Sequence, residues 1–206
     1  DSGVNWTNLS AKVENESQIN QILVSADGND LYLRIANKIL FSTNQGENWS
    51  EIPSPVADLN GLSDLEFILK DIAISKKSKT LYAVSTYIYS ENEDYYQKGR
   101  ISTYTNGEWD SEDFEDKFPE YIKVSNNGEK VITEYDLSEM DMNGQISDLE
   151  ISSDGQAIFA CSKNNWGLGL CSKKIGVGNW EILDEFLNGD FTNSNLSISG
   201  SGEKVL

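Results

Sequence analysis

The sequence predicts an all-β fold built from repeated antiparallel units, and three observations support that prediction. Helical periodicity is scarce in the 206 residues, whereas short runs rich in Val, Ile, Leu and Tyr alternate with clusters of Gly, Asn, Asp and Ser. A unit of strand, turn and strand recurs five times. A short element in which a glycine closely precedes a tryptophan occurs four times. We expect one domain with a sizeable core from a chain of this length.

The recurring unit is an apolar strand ending in serine, then a polar tight turn, then a second apolar strand. Its five copies are ILVSADGNDLYLRI, IAISKKSKTLYAVS, IKVSNNGEKVITEY, LEISSDGQAIFACS and LSISGSGEKVL, with the serine at positions 25, 75, 125, 152 and 199. Gly or Asn in such turns supplies the positive φ that a tight hairpin needs. The pattern therefore predicts five β-hairpins.

The tryptophan element places an indole at the start of a short final strand. Complete or nearly complete copies are DSGVNW (1–6) and STNQGENW (42–49), with a shortened copy TYTNGEW (103–109) and a lengthened copy SKKIGVGNW (172–180). The residues concerned are Asp1, Gly3, Trp6, Ser42, Asn44, Gly46, Trp49, Gly107, Trp109, Ser172, Gly176 and Trp180. Hydroxyl and amide groups in such a turn bind its backbone, and the indole packs back over it. The element is therefore expected to stabilise turns.

The pattern Ser/Thr-x-Asp-x-Gly-x-x-Trp resembles the Asp-box of the sialidase-like, or BNR-repeat, β-propellers. The match is good at 42–49, where Asn44 replaces the Asp, and is truncated at 1–6. In that family the box lies between the third and fourth strands of a blade. The resemblance implies a β-propeller of four to five blades of antiparallel strands. The expected blades are 1–9 with 191–206, 19–52, 69–112, a reduced blade at 118–144, and 145–183.

The spacing of the units indicates a piece of a larger ring. The hairpin serines are 50, 50, 27 and 47 residues apart, whereas a four-stranded blade needs roughly 40 to 50 residues. The chain begins inside a tryptophan element and ends after the second strand of a unit. Further blades of the same chain, or a larger assembly, are therefore expected partners.

The charge balance disfavours several classes of partner. There are 16 basic and 34 acidic residues, which give a net charge of −18. Such a surface repels phosphate backbones and anionic lipid, so no nucleic-acid partner is expected. The acidity is explained either by solubility or by attraction of cations. No apolar run approaches the roughly 18 residues of a membrane span, so no membrane insertion is expected. The chain has no histidine, which excludes imidazole metal sites and triads with a His base.

Cys161 and Cys171 flank a predicted turn at Asn165 and Trp166. If the hairpin is centred there, the two sulfurs face each other across the strands and form a disulfide. Two reduced, half-buried thiols are the equal alternative. Five Asn-x-Ser/Thr sequons permit a secreted setting, and we expect an extracellular or periplasmic location.

One segment matches a calcium loop. EMDMNGQISDLE (139–150) has oxygen ligands at the first, third and fifth positions, Gly at the sixth and Glu at the twelfth. The candidate ligands are Glu139, Asp141, Asn143, the Gln145 carbonyl and Glu150. Because the flanking segments are predicted strands, an acidic turn is the alternative. Calcium is the one cofactor that the sequence suggests.

No catalytic constellation emerges from the sequence. The resemblance to sialidases would imply an arginine triad, but the chain has only Arg34 and Arg100. Xyloglucanase-type propellers need a carboxylate pair about 5 to 9.5 Å apart, and 34 acidic residues single out none. We therefore nominate no catalytic residue.

Aromatic side chains outside the repeat are the candidates for ligand binding. Tyr87, Tyr89, Tyr95 and Tyr96 lie in YIYSENEDYYQKGR, which is predicted as a long hairpin loop, and Trp166 lies in a turn. Rings of this kind bind partners or sugars, or alternatively cover a blade edge. The leading hypothesis is a non-catalytic recognition or scaffold propeller that binds a protein or glycan. A glycoside hydrolase fragment and an assembly factor of a large complex are the alternatives.

Overall fold

The computed structural model describes residues 19–137, 145–163, 169–183 and 197–203, and these residues form fourteen strands without an α-helix. The strands are β1 (Gln21–Val24), β2 (Leu31–Ile35), β3 (Lys38–Ser42), β4 (Ser50–Ile52), β5 (Ser63–Ile74), β6 (Leu81–Glu91), β7 (Asp94–Thr105), β8 (Glu108–Phe114), β9 (Ile122–Val124), β10 (Val131–Thr133), β11 (Gln145–Ile151), β12 (Ala157–Lys163), β13 (Gly169–Ile175) and β14 (Glu181–Ile182). The described ranges also contain two short 3-10 helices, Ala57–Leu59 after β4 and Glu134–Leu137 after β10.

The strands form four antiparallel sheets in which consecutive strands are neighbours. Sheet 1 is β1 to β4, sheet 2 is β5 to β8, sheet 3 is β9 and β10, and sheet 4 is β11 to β14. The all-β prediction is confirmed. The segment expected as a reduced blade at 118–144 contains the two-stranded sheet 3, and sheet 2 begins at Ser63, before the expected boundary. The first predicted blade lies mostly outside the described residues.

The first strands of the four sheets lie beside one another. β1 contacts β5, β5 contacts β9, and β9 contacts β11. Between them lies a cavity of about 450 Å3, which is also lined by residues 198–200. The sheets therefore follow one another around a shared line on which their first strands meet.

Apolar side chains fill the space between successive sheets. Ile39 and Leu81 belong to the core between sheets 1 and 2, Val84 and Ile122 to the core between sheets 2 and 3, and Leu149 to the core between sheets 3 and 4. All five side chains are at most 1% exposed. At roughly 25 cal/mol per Å2 of apolar surface, burial of this kind is the main stabilising contribution.

The serine turns form a hydrogen-bonded row at one end of the cavity. The backbone N–H of Lys77 donates to the carbonyl of Asn126 at 2.8 Å, and Asn126 N–H donates to the Ser153 carbonyl at 2.9 Å. Ser153 N–H in turn donates to the Gly200 carbonyl at 2.9 Å. We call this the serine-turn end of the molecule, because the turns that begin at positions 75, 125, 152 and 199 meet there.

Two polar side chains on the first strands connect neighbouring sheets. Asp71 accepts the backbone N–H of Ile122 at 3.0 Å, and Gln21 accepts the N–H of Ile72 at 3.1 Å. Each side chain lies four positions before a hairpin serine and reaches the sheet that follows in the chain. This repeated connection was not predicted, because neither residue belongs to the apolar pattern that reveals the strands.

Acid is expected to destabilise the fold through carboxylates of the serine turns. Hydrogen bonds from Ser25 and Ser152 hold the pKa values of Asp27 and Asp154 below their ordinary range. A carboxyl whose pKa is lowered by folding stabilises the fold above its unfolded pKa, and this contribution is lost as the pH falls through the folded pKa. We therefore expect the denaturant concentration at the unfolding midpoint to decrease when the pH drops below about 4. A Ser152→Ala variant should show a weaker pH dependence, and a flat profile in the parent protein would contradict the assignment.

Candidate recognition site

The hairpin of β6 and β7 extends beyond the end of β8, while β5 runs beside β6 as far as Ser63 opposite Ser90. The two strands pair from Leu81 opposite Tyr104 to Glu91 opposite Asp94, whereas the pairing of β7 with β8 ends at Gly99 opposite Phe114. Residues 91–97 are all exposed. We call the part formed by residues 87–98 the overhang. It lies at the end of the strands opposite to the serine-turn end.

The tip of the overhang is a two-residue turn. Asn92 and Glu93 have φ values of 54° and 71°, as a type I′ turn requires at both central positions. The prediction of a long loop in this segment is therefore wrong: the strands continue almost to the tip. Asn tolerates the left-handed region better than most residues, which helps to explain a tight turn inside the run SENED.

One face of the overhang carries stacked tyrosines. The rings of Tyr89 and Tyr96, which lie opposite each other, have centroids 5.4 Å apart, and those of Tyr87 and Tyr89 are 6.0 Å apart. The Lys98 ammonium lies 5.9 Å from the Tyr89 ring centroid. Tyr87 is only 3% exposed, and its burial raises its pKa to about 12. Of the predicted tyrosines, Tyr87 is therefore an interior residue, and the other three are at the surface to differing degrees.

The other face of the overhang, together with the neighbouring part of β5, carries exposed apolar side chains. Tyr95 is 73% exposed, and Ile68 of β5 and Ile88 of β6 are 56% and 37% exposed. Ile68 lies opposite Thr86 in β6, and Tyr95 lies opposite Ser90, so all of these positions share one side of the sheet. Exposed apolar groups that lie together on a sheet are typical of interaction surfaces.

A shallow groove of about 950 Å3 runs beside the tip, between residues 61–64 and residues 89–95. The Ser90 hydroxyl donates to the Asp64 carboxylate at 2.6 Å across it. The exposed acidic side chains around the groove and the tip are Asp64, Glu66, Glu91, Glu93 and Asp94. Lys98, at the base of the overhang, pairs with Glu115 at 3.7 Å. The overhang is therefore acidic at its tip.

Arg100 fixes the base of the overhang to the segment that joins sheets 1 and 2. Its guanidinium donates to both carboxylate oxygens of Asp113, to both of Asp58, and to the Pro55 carbonyl, over 2.6 to 3.1 Å. All five N–H groups are thereby used. The hydrogen bonds from Arg100 hold the pKa of Asp113 below its ordinary value. The guanidinium also lies 5.5 Å from the Tyr87 ring centroid.

The complete tryptophan element forms a hydrogen-bonded turn. The Ser42 hydroxyl donates to the Asn44 side chain at 3.0 Å and accepts the Gly46 N–H at 2.9 Å, and Asn44 accepts the Asn48 N–H at 2.9 Å. Gly46 has φ 84°, which only glycine adopts without strain. Trp49 is the next residue after Asn48 and immediately precedes β4.

The other tryptophan elements lie at matching places in their sheets. Trp109 belongs to β8 and donates its indole N–H to the Pro53 carbonyl at 2.7 Å. Trp180 precedes β14 and packs against the core between sheets 3 and 4. Asp1, Gly3 and Trp6 lie outside the described residues.

The predicted calcium loop is described only in its second half. Glu139, Asp141 and Asn143 lie outside the described residues, and Gln145 begins β11. Glu150 forms an ion pair with Lys123 at 3.0 Å. In the ranges that the structure covers, no group of three acidic or cysteine side chains is arranged to hold a metal ion. Trp166 is also outside these ranges.

Cys161 and Cys171 lie opposite each other in β12 and β13 and form a disulfide. Both are at most 3% exposed. Of the two alternatives left open by the sequence, the structure contains the disulfide.

Reduction of this disulfide is expected to lower the free energy of unfolding by about 3 kcal/mol, because the loop between the two cysteines is no longer closed in the unfolded chain and the entropy of the unfolded state rises. The cysteines are separated by 10 residues. Chemical denaturation with and without a reductant measures the difference. The double variant Cys161→Ala with Cys171→Ala should not respond to the reductant, and an unchanged midpoint of the parent protein would contradict the expectation.

Within the described ranges, no helix has the length and apolar character needed to cross a membrane.

Comparisons with known proteins complete the description. No protein-family model matches the sequence, and no curated protein sequence is similar to it. The structure is similar to TolB from Acinetobacter baumannii, with 15% identity and a TM-score of 0.47 over 89% of this chain and 45% of that chain. It is also similar to a eukaryotic initiation factor, with 11% identity and a TM-score of 0.43 over 90% of this chain and 46% of that chain. The chain thus spans about half the length of these structures.

Proposed function

We propose that this chain is part of a non-catalytic β-propeller that recognises a partner protein through the overhang. The observation that carries the proposal is the extension of β6 and β7 beyond β8, which presents Tyr95 and Tyr96 on opposite faces of one rigid hairpin. Binding residues on a rigid scaffold lose little conformational freedom when the partner binds.

The propeller assignment rests on the arrangement of the sheets. Successive meander sheets place their first strands side by side around one cavity, as blades do around a propeller axis. We extend this to the Asp-box family, because the turn at 42–49 has the hydrogen bonds expected of that box. A full ring would contain blades beyond the three four-stranded sheets and sheet 3.

A location outside the cytoplasm belongs to the same proposal. A buried disulfide persists in oxidising compartments such as the periplasm or the extracellular space.

Both arginines of the chain have structural partners: Arg100 binds two carboxylates, and Arg34 donates to the Leu69 carbonyl at 3.0 Å. These contacts favour recognition over the arginine-dependent hydrolysis that a sialidase would perform.

Site-specific photocrosslinking tests the proposal. A photoreactive phenylalanine analogue replaces Tyr95 in one variant and Val177 in a control, where Val177 is fully exposed in the turn between β13 and β14 at the serine-turn end. Incubated with the secreted and periplasmic proteins of its source, the first variant should form a discrete crosslinked protein and the control should not. Equal crosslinking at both positions would contradict the proposal. Binding of the chain to a glycan array without any crosslinked protein would contradict it as well.

A further inference from the structure

The outer edge of β7 lacks a strand partner along the overhang. Two-residue turns follow Glu91 and Thr105, and the residues that flank such a turn form a hydrogen-bonded pair. The backbone groups of Tyr96 and Lys98 therefore point to β6, and those of Gly99 point to β8. By the same alternation, the N–H and C=O groups of Tyr95 and Gln97 point outward, beyond the end of β8.

The opposite edge of the same sheet is covered. The side chain of Asn37, in the turn between β2 and β3, accepts the N–H of Leu69 at 2.9 Å and donates to the Phe67 carbonyl at 2.7 Å. It thus pairs with the β5 backbone much as a neighbouring strand would. In the described part of sheet 2, β8 does not cover the edge of β7 at residues 95–97. An exposed strand edge of this kind promotes pairing with other chains.

We propose that the outer edge of β7 from Asp94 to Lys98 binds an extended, lysine- or arginine-bearing segment of the partner protein as an added β-strand. This inference rests on the proposed function and specifies its partner. The added strand would lie in line with β8, with up to four backbone hydrogen bonds to Tyr95 and Gln97. Five residues of an antiparallel strand span about 17 Å, so a short segment is enough.

The surroundings of the edge determine the chemistry of that segment. Glu91, Glu93 and Asp94 are exposed at the tip, and they complement basic side chains of the added strand. On one face of the sheet, the added strand would lie next to the exposed Tyr95 of β7, with Ile88 of β6 one strand further in, and these side chains suit apolar residues. Because neighbouring residues of a strand point to opposite faces, a segment that alternates basic and apolar residues fits both features. This is recognition by strand addition, in which the backbone supplies affinity and alternate side chains supply specificity.

A defined peptide tests the inference. The probe is a blocked heptapeptide of alternating lysine and valine, labelled for fluorescence anisotropy and titrated with the folded chain. We expect saturable binding that weakens as salt is added, because part of it is electrostatic. The same peptide with glutamate in place of lysine should not bind.

Backbone-specific changes separate strand addition from simple charge attraction. Gln97→Pro removes an outward N–H that the hairpin does not use, as proline does at an edge strand, and we expect it to weaken binding at least about tenfold, which corresponds to roughly 1.4 kcal/mol. Gln97→Ala keeps the N–H and should bind as the parent protein does. Thermal melts check that both variants are folded.

A second arm acts on the peptide alone, so it remains decisive even if the proline variant unfolds. Methylation of the backbone nitrogens that would donate hydrogen bonds to β7 should abolish binding. Methylation of the intervening nitrogens, which would point away from β7, should have a smaller effect. Equal binding of both methylated peptides would overturn the inference. If the lysine peptide does not bind while Tyr95 still crosslinks to a protein, strand addition is wrong and the proposed function stands.

Discussion

Replacing Arg100 by alanine is expected to lower the free energy of unfolding by about 3 to 5 kcal/mol. The Arg100 side chain is only 3% exposed and neutralises Asp58 and Asp113 while binding the Pro55 carbonyl. Its removal leaves Asp113 without its charged partner and leaves a cavity beside Tyr87. Denaturant unfolding of the parent and variant proteins measures the loss.

Asp58→Asn is the matched control for this substitution. The Asp58 side chain is 62% exposed, so water replaces much of what the ion pair contributes, and we expect a loss of about 1 kcal/mol or less. If Arg100→Ala cost no more than the small loss expected for Asp58→Asn, Arg100 would act as an ordinary surface cation, which would contradict its role at the base of the overhang.

Gly99→Ala is expected to cost about 3 kcal/mol, because the new methyl group has no room. A Cβ at Gly99 would lie 1.9 Å from the Lys117 carbonyl oxygen and 2.7 Å from Cδ of Pro119. Both contacts involve backbone or a proline ring, so neither can move aside cheaply. Thermal and denaturant unfolding measure the effect.

Gly61→Ala provides the comparison, since a Cβ there meets nothing within 4 Å. We expect it to change the free energy of unfolding by less than about 0.5 kcal/mol. If Gly99→Ala were as mild as Gly61→Ala, then the segment 117–119 would not pack against β7 as described.

The local elements of this fold were predictable because their signals are local. The serine turns and the apolar runs around them indicated the hairpins, and the glycine and tryptophan pattern marked the last strands at Trp49, Trp109 and Trp180. The contacts that join the sheets were not predictable in this way. Asp71 and Gln21 bond to residues 51 positions away, and nothing in their own neighbourhoods indicates that partner.

The candidate site was located in part. Tyr87 and Tyr89 alternate as strand residues do, but the polar run between Tyr89 and Tyr96 suggested a loop and concealed the tight turn at Asn92 and Glu93. The open edge of β7 depends on where β8 ends, which is a property of the folded sheet rather than of residues 94–98. The same holds for Arg100, whose partners Asp58 and Asp113 come from two separate segments.

Amide hydrogen exchange of the ligand-free chain, resolved by residue, tests the central claim most directly. If the edge of β7 is open, the amides of Tyr95 and Gln97 should exchange at rates close to those of an unstructured chain, and those of Tyr96 and Lys98 at least about tenfold more slowly. Equal protection of all four amides would show that the edge is already covered, and would contradict recognition by an added strand.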